Sequence, residues 1–211
     1  GSSTGDLLVD DDEVLDRIFS CCNKVIAVHA EDEKILKEAD KRVSKDSFAN
    51  HPDARPVEAA LKATTKAVEL AIKFEKRLHI LHLSTAEEVK MIRKQKSTGL
   101  ITCETTPQHL LMEAPDIYEK IGAFAQMNPP IRSKRHQDEL WKGLLDGTIN
   151  CIATDHAPHT LEEKALPYGQ APAGMPGVET SLTLMLNEVS KGRISLEQVV
   201  KWMSENPAKL Y

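Results

Sequence analysis

Four short, mostly apolar runs separated by helix-like stretches constrain this chain more than any other feature. They fall at residues 24–28, 78–82, 99–105 and 149–155. The run Lys24-Val25-Ile26-Ala27-Val28 and the run Leu78-His79-Ile80-Leu81-His82 show no regular alternation of polar with apolar residues. A strand with one wet face would alternate, so these read as strands buried on both faces. Between them lie helical patterns at residues 57–76, 86–96 and 133–146, with a charged helix expected over 30–43. A first helix over 10–20 carries Val14, Leu15, Ile18 and Phe19 at helical spacing behind an acidic first turn. Residues 47–56 read as a loop with two prolines, 107–119 as containing a helical turn, and 123–127 as extended. A Gly/Pro-rich loop at 167–177 precedes helices at about 178–191 and 195–204.

Strands alternating with helices predict a parallel sheet covered by helices. A doubly wound sheet and a (β/α)₈ TIM-type barrel both fit that pattern. The position of the polar residues separates them. His29, His82 and Asp155 each stand at the carboxyl end of a different strand, where barrel enzymes collect their catalytic groups.

Composition narrows the function classes. The 211 residues are 41% hydrophobic and 28% charged, which suits one globular domain. The net charge is -5, and no Lys/Arg cluster interleaves with aromatics, so a nucleic-acid surface is not expected. Lys34, Lys37, Lys41, Arg42 and Lys45 sit among acids and read as a solvated helix face. No run approaches the ~18 apolar residues of a membrane span, and no secretory leader pattern opens the sequence. Cys21, Cys22, Cys103 and Cys151 form no CxxC pair and read as buried reduced thiols, which suits a cytoplasmic protein.

Imidazole and carboxylate side chains meeting at one mouth suit Zn²⁺ with a position left for water. Equally, a His that ends a strand can be a hydrogen-bonded core residue, and spacing alone leaves both readings open for His29, His82 and Asp155. His79 lies three residues before His82, so it is expected on the opposite face, as a core or helix-facing histidine. His51 and His136 read as surface residues.

The segment Ala153-Thr154-Asp155-His156-Ala157-Pro158-His159, with Lys164 five residues on, is far more specific. It resembles the signature of dihydroorotases: a small residue, a hydroxyl residue, Asp, any residue, Ala-Pro-His, four more and Lys. Three other segments resemble the same family in the same order: Val28-His29-Ala30-Glu31-Asp32, Leu81-His82-Leu83-Ser84-Thr85 and Met127-Asn128-Pro129-Pro130-Ile131-Arg132. The resemblance covers residues 10–211.

This resemblance implies a (β/α)₈ amidohydrolase barrel with two metal ions, usually zinc. His29 and His82 match metal ligands at the ends of strands five and six, and Asp155 matches the metal-binding catalytic base at strand eight. Asn128, His159 and the backbone of Ala173 and Gly174 match positions that contact substrate. His156 falls at the signature's variable position and His109 at a structural one. The implied reaction is the reversible interconversion of L-dihydroorotate and N-carbamoyl-L-aspartate, in pyrimidine biosynthesis, by a zinc-hydroxide mechanism. The expected partner is that small-molecule substrate, with a homodimer left open.

Dihydropyrimidinase, allantoinase and a non-catalytic dihydroorotase-like subunit are the rival readings. Retention of His29, His82 and Asp155 argues against the last. Nothing in the sequence matches the family's His-x-His of strand one, the Arg that follows it, or the bridging Lys or Asp of strand four. Residues 1–8 resemble the segment just after that fourth strand. Residues 1–211 are therefore expected to form one partial domain, strands five to eight with their helices.

Overall fold

The computed structural model describes Val9 and residues 11–211, and the reading of residues 1–8 lies outside that range. Four strands form the sheet: β1 (Ile26–Val28), β2 (Leu78–Ile80), β3 (Ile101–Thr105) and β4 (Cys151–Ile152). They pair in the order β1-β2-β3-β4, every pair parallel. Ile26 stands opposite Leu78, Ile80 opposite Cys103, and Thr105 opposite Ile152. Consecutive strands that stay neighbours, with helices between them, wind in one direction as in a barrel. A doubly wound sheet would reverse its order at a switch point.

The helices are α1 (Asp12–Cys21), α2 (Glu33–Asp40), α3 (His51–Ala54), α4 (Val57–Lys73), α5 (Ala86–Arg93) and α6 (Pro107–Leu111). They continue with α7 (Asp116–Ile121), α8 (Lys134–Leu145), α9 (Leu161–Lys164), α10 (Ser181–Ser190), α11 (Leu196–Val200) and α12 (Asn206–Leu210). Caps are placed as the sequence dictates. Asp11 accepts from the Val14 amide, and Thr85 with Glu88 closes a capping box at α5.

One face of the sheet is dry. Leu78, Ile80, Cys103 and Ile152 pack with Val68 and Ala71 of α4, Val89 and Ile92 of α5, and Leu140 and Leu144 of α8. Alternation puts Ala27, His79, Thr102, Glu104 and Cys151 on the other face. His79 is fully buried there, with Nδ1 2.9 Å from Thr102 Oγ1 and Nε2 3.0 Å from Glu104 Oε2. It is thus a core histidine, but it faces away from the helices. The counting argument that set it opposite His82 fails because residue 82 lies beyond the ladder, where the backbone has turned to φ 33°.

For the same reason β2 and β4 end earlier than expected, while β1 and β3 end as expected but begin two residues late. After Val28, Ile80 and Ile152 the chain leaves the regular register, although the Leu81 amide still donates to Val28 O and the Ala153 amide to Thr105 O. Residues 47–56 hold a 3₁₀ turn (Phe48–Asn50) followed by α3, with the Ser47 hydroxyl capping the turn. Residues 122–125 form another 3₁₀ turn (Gly122–Ala125) where an extended piece was expected. These turns belong to a second apolar cluster of Tyr118, Ala125, Met127, Ile131 and Met175, which roofs the carboxyl ends of the strands.

Burial corrects two histidines. His51 is buried against Met127, Asn128 and Tyr168. His136 is buried too, its Nδ1 accepting from the Ala86 amide between α5 and α8. Of the cysteines, Cys103 and Cys151 are buried as expected, while Cys21 is exposed and Cys22 half-buried; all four are free. Among the described residues no helix is long and apolar enough to cross a membrane.

Candidate active site

The end of β1 delivers His29, and the turn after β2 delivers His82. Their rings meet edge to face at 4.7 Å between centroids, with His29 Nδ1 3.0 Å from His82 Nε2. On the other side His29 Nε2 lies 2.9 Å from Glu31 Oε2. A carboxylate only accepts, so the His29 proton sits on Nε2 and the Nδ1 lone pair faces His82. Glu31 is buried, and Arg55 grips it through Nε at 3.1 and 3.2 Å and through Nη2. Burial pushes the Glu31 carboxyl up. The His29 hydrogen bond and the Arg55 charge outweigh it and bring the pKa to about 2. His82 is held neutral, at about 3, first by burial and then by the neighbouring His29.

Two of the three non-glycine residues with positive φ among those described are candidate site residues: His82 at 33° and Asp155 at 45°. Such conformations cost L-residues on the order of 1–3 kcal/mol each and persist where surrounding structure imposes them. Asp155 is half-buried. Burial pushes its carboxyl above the usual range, His29 opposing the shift and Glu104 adding to it.

The opposite wall is built from loops. Asn128 is half-buried, its Oδ1 3.1 Å from His51 Nε2. His159 Nε2 donates to Ala173 O at 3.2 Å, so the ring braces the same backbone it was expected to act beside. The Gly174 amide donates to Gln126 O at 2.8 Å, and the Ala157 amide to Met175 O at 3.0 Å. Lys164, the fixed Lys of the signature, is buried and bonds only backbone carbonyls: Pro172 at 2.9 Å, Ala123 at 3.0 Å and Gln126 at 3.4 Å. It ties the 122–126 turn to the 167–177 loop.

Gly174 is required by both conformation and space. Its φ is 148°, and a Cβ there would meet Ala157 O at 2.5 Å and His159 Nε2 at 3.0 Å. Gly174→Ala is therefore expected to shift the 173–174 backbone and lower Tm by roughly 3–10 °C. An unchanged melting curve would show that the loop absorbs the methyl without moving.

His29, His82, Asn128, Asp155, His159, Ala173 and Gly174 all line one open cleft of about 1400 Å³. The structure brings all seven together at the carboxyl end of the sheet. Among the described residues, however, no three His, Cys, Asp or Glu side chains are close enough to cage a metal ion by themselves. The histidine pair does fit as part of a larger ligand set. Two tetrahedral zinc ligands at roughly 2.1 Å from the ion stand about 3.4 Å apart, against 3.0 Å between the facing nitrogens. Glu31 holds one ring as outer carboxylates hold zinc-binding histidines. The other ring's Nδ1 is buried without a partner.

Several residues here went unassigned at the sequence level. Glu31 and Lys164 lie inside the motifs, and an acid two residues past a candidate ligand was a readable signal. Arg55, His51 and Tyr168 carry no local signal, since their partners are 24, 76 and 117 residues away.

A one-way parallel βα array with imidazoles and a carboxylate gathered at the strands' carboxyl ends is the arrangement of part of a (β/α)₈ barrel with polar groups at its functional face. The family comparison agrees: the amidohydrolase family matches residues 15–211. The chain belongs to that family. Among curated relatives, a dihydroorotase of Methanosarcina acetivorans is 41% identical over 220 residues, covering 99% of this chain and 47% of the relative. A dihydroorotase of Lactococcus lactis is 50% identical over 137 residues, covering 64% of this chain and 32% of the relative. Among solved structures, the L-hydantoinase (dihydropyrimidinase) of Arthrobacter aurescens superposes with a TM-score of 0.92 at 35% identity, covering 100% of this chain and 49% of that one. The chain spans about half the length of the curated relatives it matches.

Proposed function

We propose that this chain is the part of a dihydroorotase barrel that carries strands five to eight, with residues 1–211 as one partial domain. The observation that carries the reading is the convergence of all seven signature-matched positions on one cleft, in a chain 41% identical to a curated dihydroorotase. In this reading His29 Nδ1, His82 Nε2 and Asp155 would contribute ligands to the zinc site, with the remaining ligands coming from other strands of the complete barrel. When bound, zinc supplies Lewis-acid polarisation of a carbonyl and a nucleophile at neutral pH.

The chain's own residues do the rest. Glu31 keeps the His29 proton on Nε2, leaving Nδ1 free for the metal. The Asp155 carboxylate takes the proton of the attacking water and returns it to the ring nitrogen as the amide bond breaks. Asn128, His159 and the 173–174 backbone offer hydrogen-bonding groups to the ring amide and carboxylate of L-dihydroorotate or N-carbamoyl-L-aspartate. The cleft suits this small, polar substrate, and the absence of a membrane-length helix among the described residues fits a cytoplasmic enzyme. A homodimer is the assembly that size measurement should look for.

The likeness to hydantoinases favours one rival, a dihydropyrimidinase-type hydrolase. The complete barrel that contains these residues should be assayed with dihydroorotate, dihydrouracil and allantoin side by side. Preference for dihydroorotate is expected, and preference for either of the others would overturn the proposal.

A further inference from the structure

His51 joins the two loops that form the far wall of the cleft. His51 Nε2 lies 3.0 Å from Met127 O and 3.1 Å from Asn128 Oδ1. His51 Nδ1 lies 3.3 Å from the Tyr168 hydroxyl. A backbone carbonyl can only accept, so Nε2 must carry the proton. Nδ1 is then the acceptor, and Tyr168 donates to it. The same proton decides which way the Asn128 amide lies. An –NH₂ group facing an N–H would set donor against donor, so the atom facing His51 must be Oδ1. The Asn128 Nδ2 group is thereby turned away from His51.

We propose that His51 is a positioning residue which, braced by Tyr168, locks the Asn128 side-chain amide with its –NH₂ donor turned to the cleft, ready for an acceptor oxygen of the substrate. This rests on the reading of Asn128 as a substrate contact. Burial supports the lock, because it holds the imidazole's pKa down to about 4, so the ring stays neutral and keeps one tautomer near pH 7. Tyr168 is itself buried and belongs to the loop that bears Ala173 and Gly174. Its ring packs against both His51 and Phe48, at 5.8 and 5.4 Å between centroids. Tyr168 thus braces the imidazole from the 167–177 loop while Asn128 carries its effect to the cleft. Specificity for an oxygen at that point follows from orientation: an amide free to flip could present either a donor or an acceptor.

Two measurements on the complete barrel test this. The first is ¹⁵N NMR of the His51 ring, expected to show protonated Nε2 and bare Nδ1 at neutral pH. A protonated Nδ1, or a doubly protonated ring, would overturn the lock. The second is a kinetic cycle with dihydroorotate. His51→Leu is expected to raise KM about tenfold with kcat within about threefold, the size of effect one buried hydrogen bond gives. His51→Gln, which keeps an N–H at the ε position, should recover to within about threefold of wild type. Tyr168→Phe should raise KM about threefold. Asn128→Ala and the double variant His51→Leu/Asn128→Ala should share one KM, since His51 acts only through Asn128. Additive effects in the double variant would reduce His51 to a structural role and overturn the proposal. A complete wild-type barrel with no turnover of dihydroorotate would sink the dihydroorotase reading instead, and the ring's tautomer would then decide the positioning proposal alone.

Discussion

Asp155→Asn in the complete barrel is expected to cut kcat by roughly 10²–10⁴-fold, the span of general acid–base catalysis, with little change in fold. The carboxylate is half-buried in the cleft, and no hydrogen bond to another protein group ties it up among the described contacts. An amide fills the same space but cannot take a proton from water. The backbone tolerates the change: Asn is among the few residues that visit the left-handed region readily, and φ at 155 is 45°. The variant should therefore melt near wild type, which separates lost chemistry from lost structure. Turnover within a few-fold of wild type would remove Asp155 from the role of base.

Glu31→Ala is expected to have the largest effect on stability, about 3–5 kcal/mol measured by urea unfolding. It strips the Arg55 guanidinium of the carboxylate that three contacts tie it to. The His29 Nε2 proton also loses its acceptor. Arg55 keeps some exposure, 16% of its side chain, which favours the lower end of that range. Zinc affinity should drop by about 10–100-fold as the His29 ring loses its orientation. A stability loss under about 1 kcal/mol would mean that water replaces Glu31 freely and that the ring is held by something else.

The parallel βα frame was legible because its signal is local and repeated: apolar strands, amphipathic helices, and polar residues where the strands stop. The seven cleft positions were legible through motif order, and the structure places them around one space. What was not legible depends on distant partners. His51 and His136 looked like surface residues because their flanking sequence is polar. They are buried by contacts with Met127, Asn128 and Tyr168 in one case and Ala86 in the other. The strand ends were overrun because periodicity cannot see the backbone turn at His82 and Asp155. Lys164 was visible as a fixed residue, yet its three carbonyl partners come from segments that only folding brings together.

The positive φ angles at His82 and Asp155 tie backbone strain to the side chains that face the cleft. Glycine would relax the torsion at either one, but at buried His82 it would also empty a packed site and free the His29 ring. At half-buried Asp155 the relaxed turn would come with loss of the carboxylate, so a sturdier backbone there means a cleft without its base.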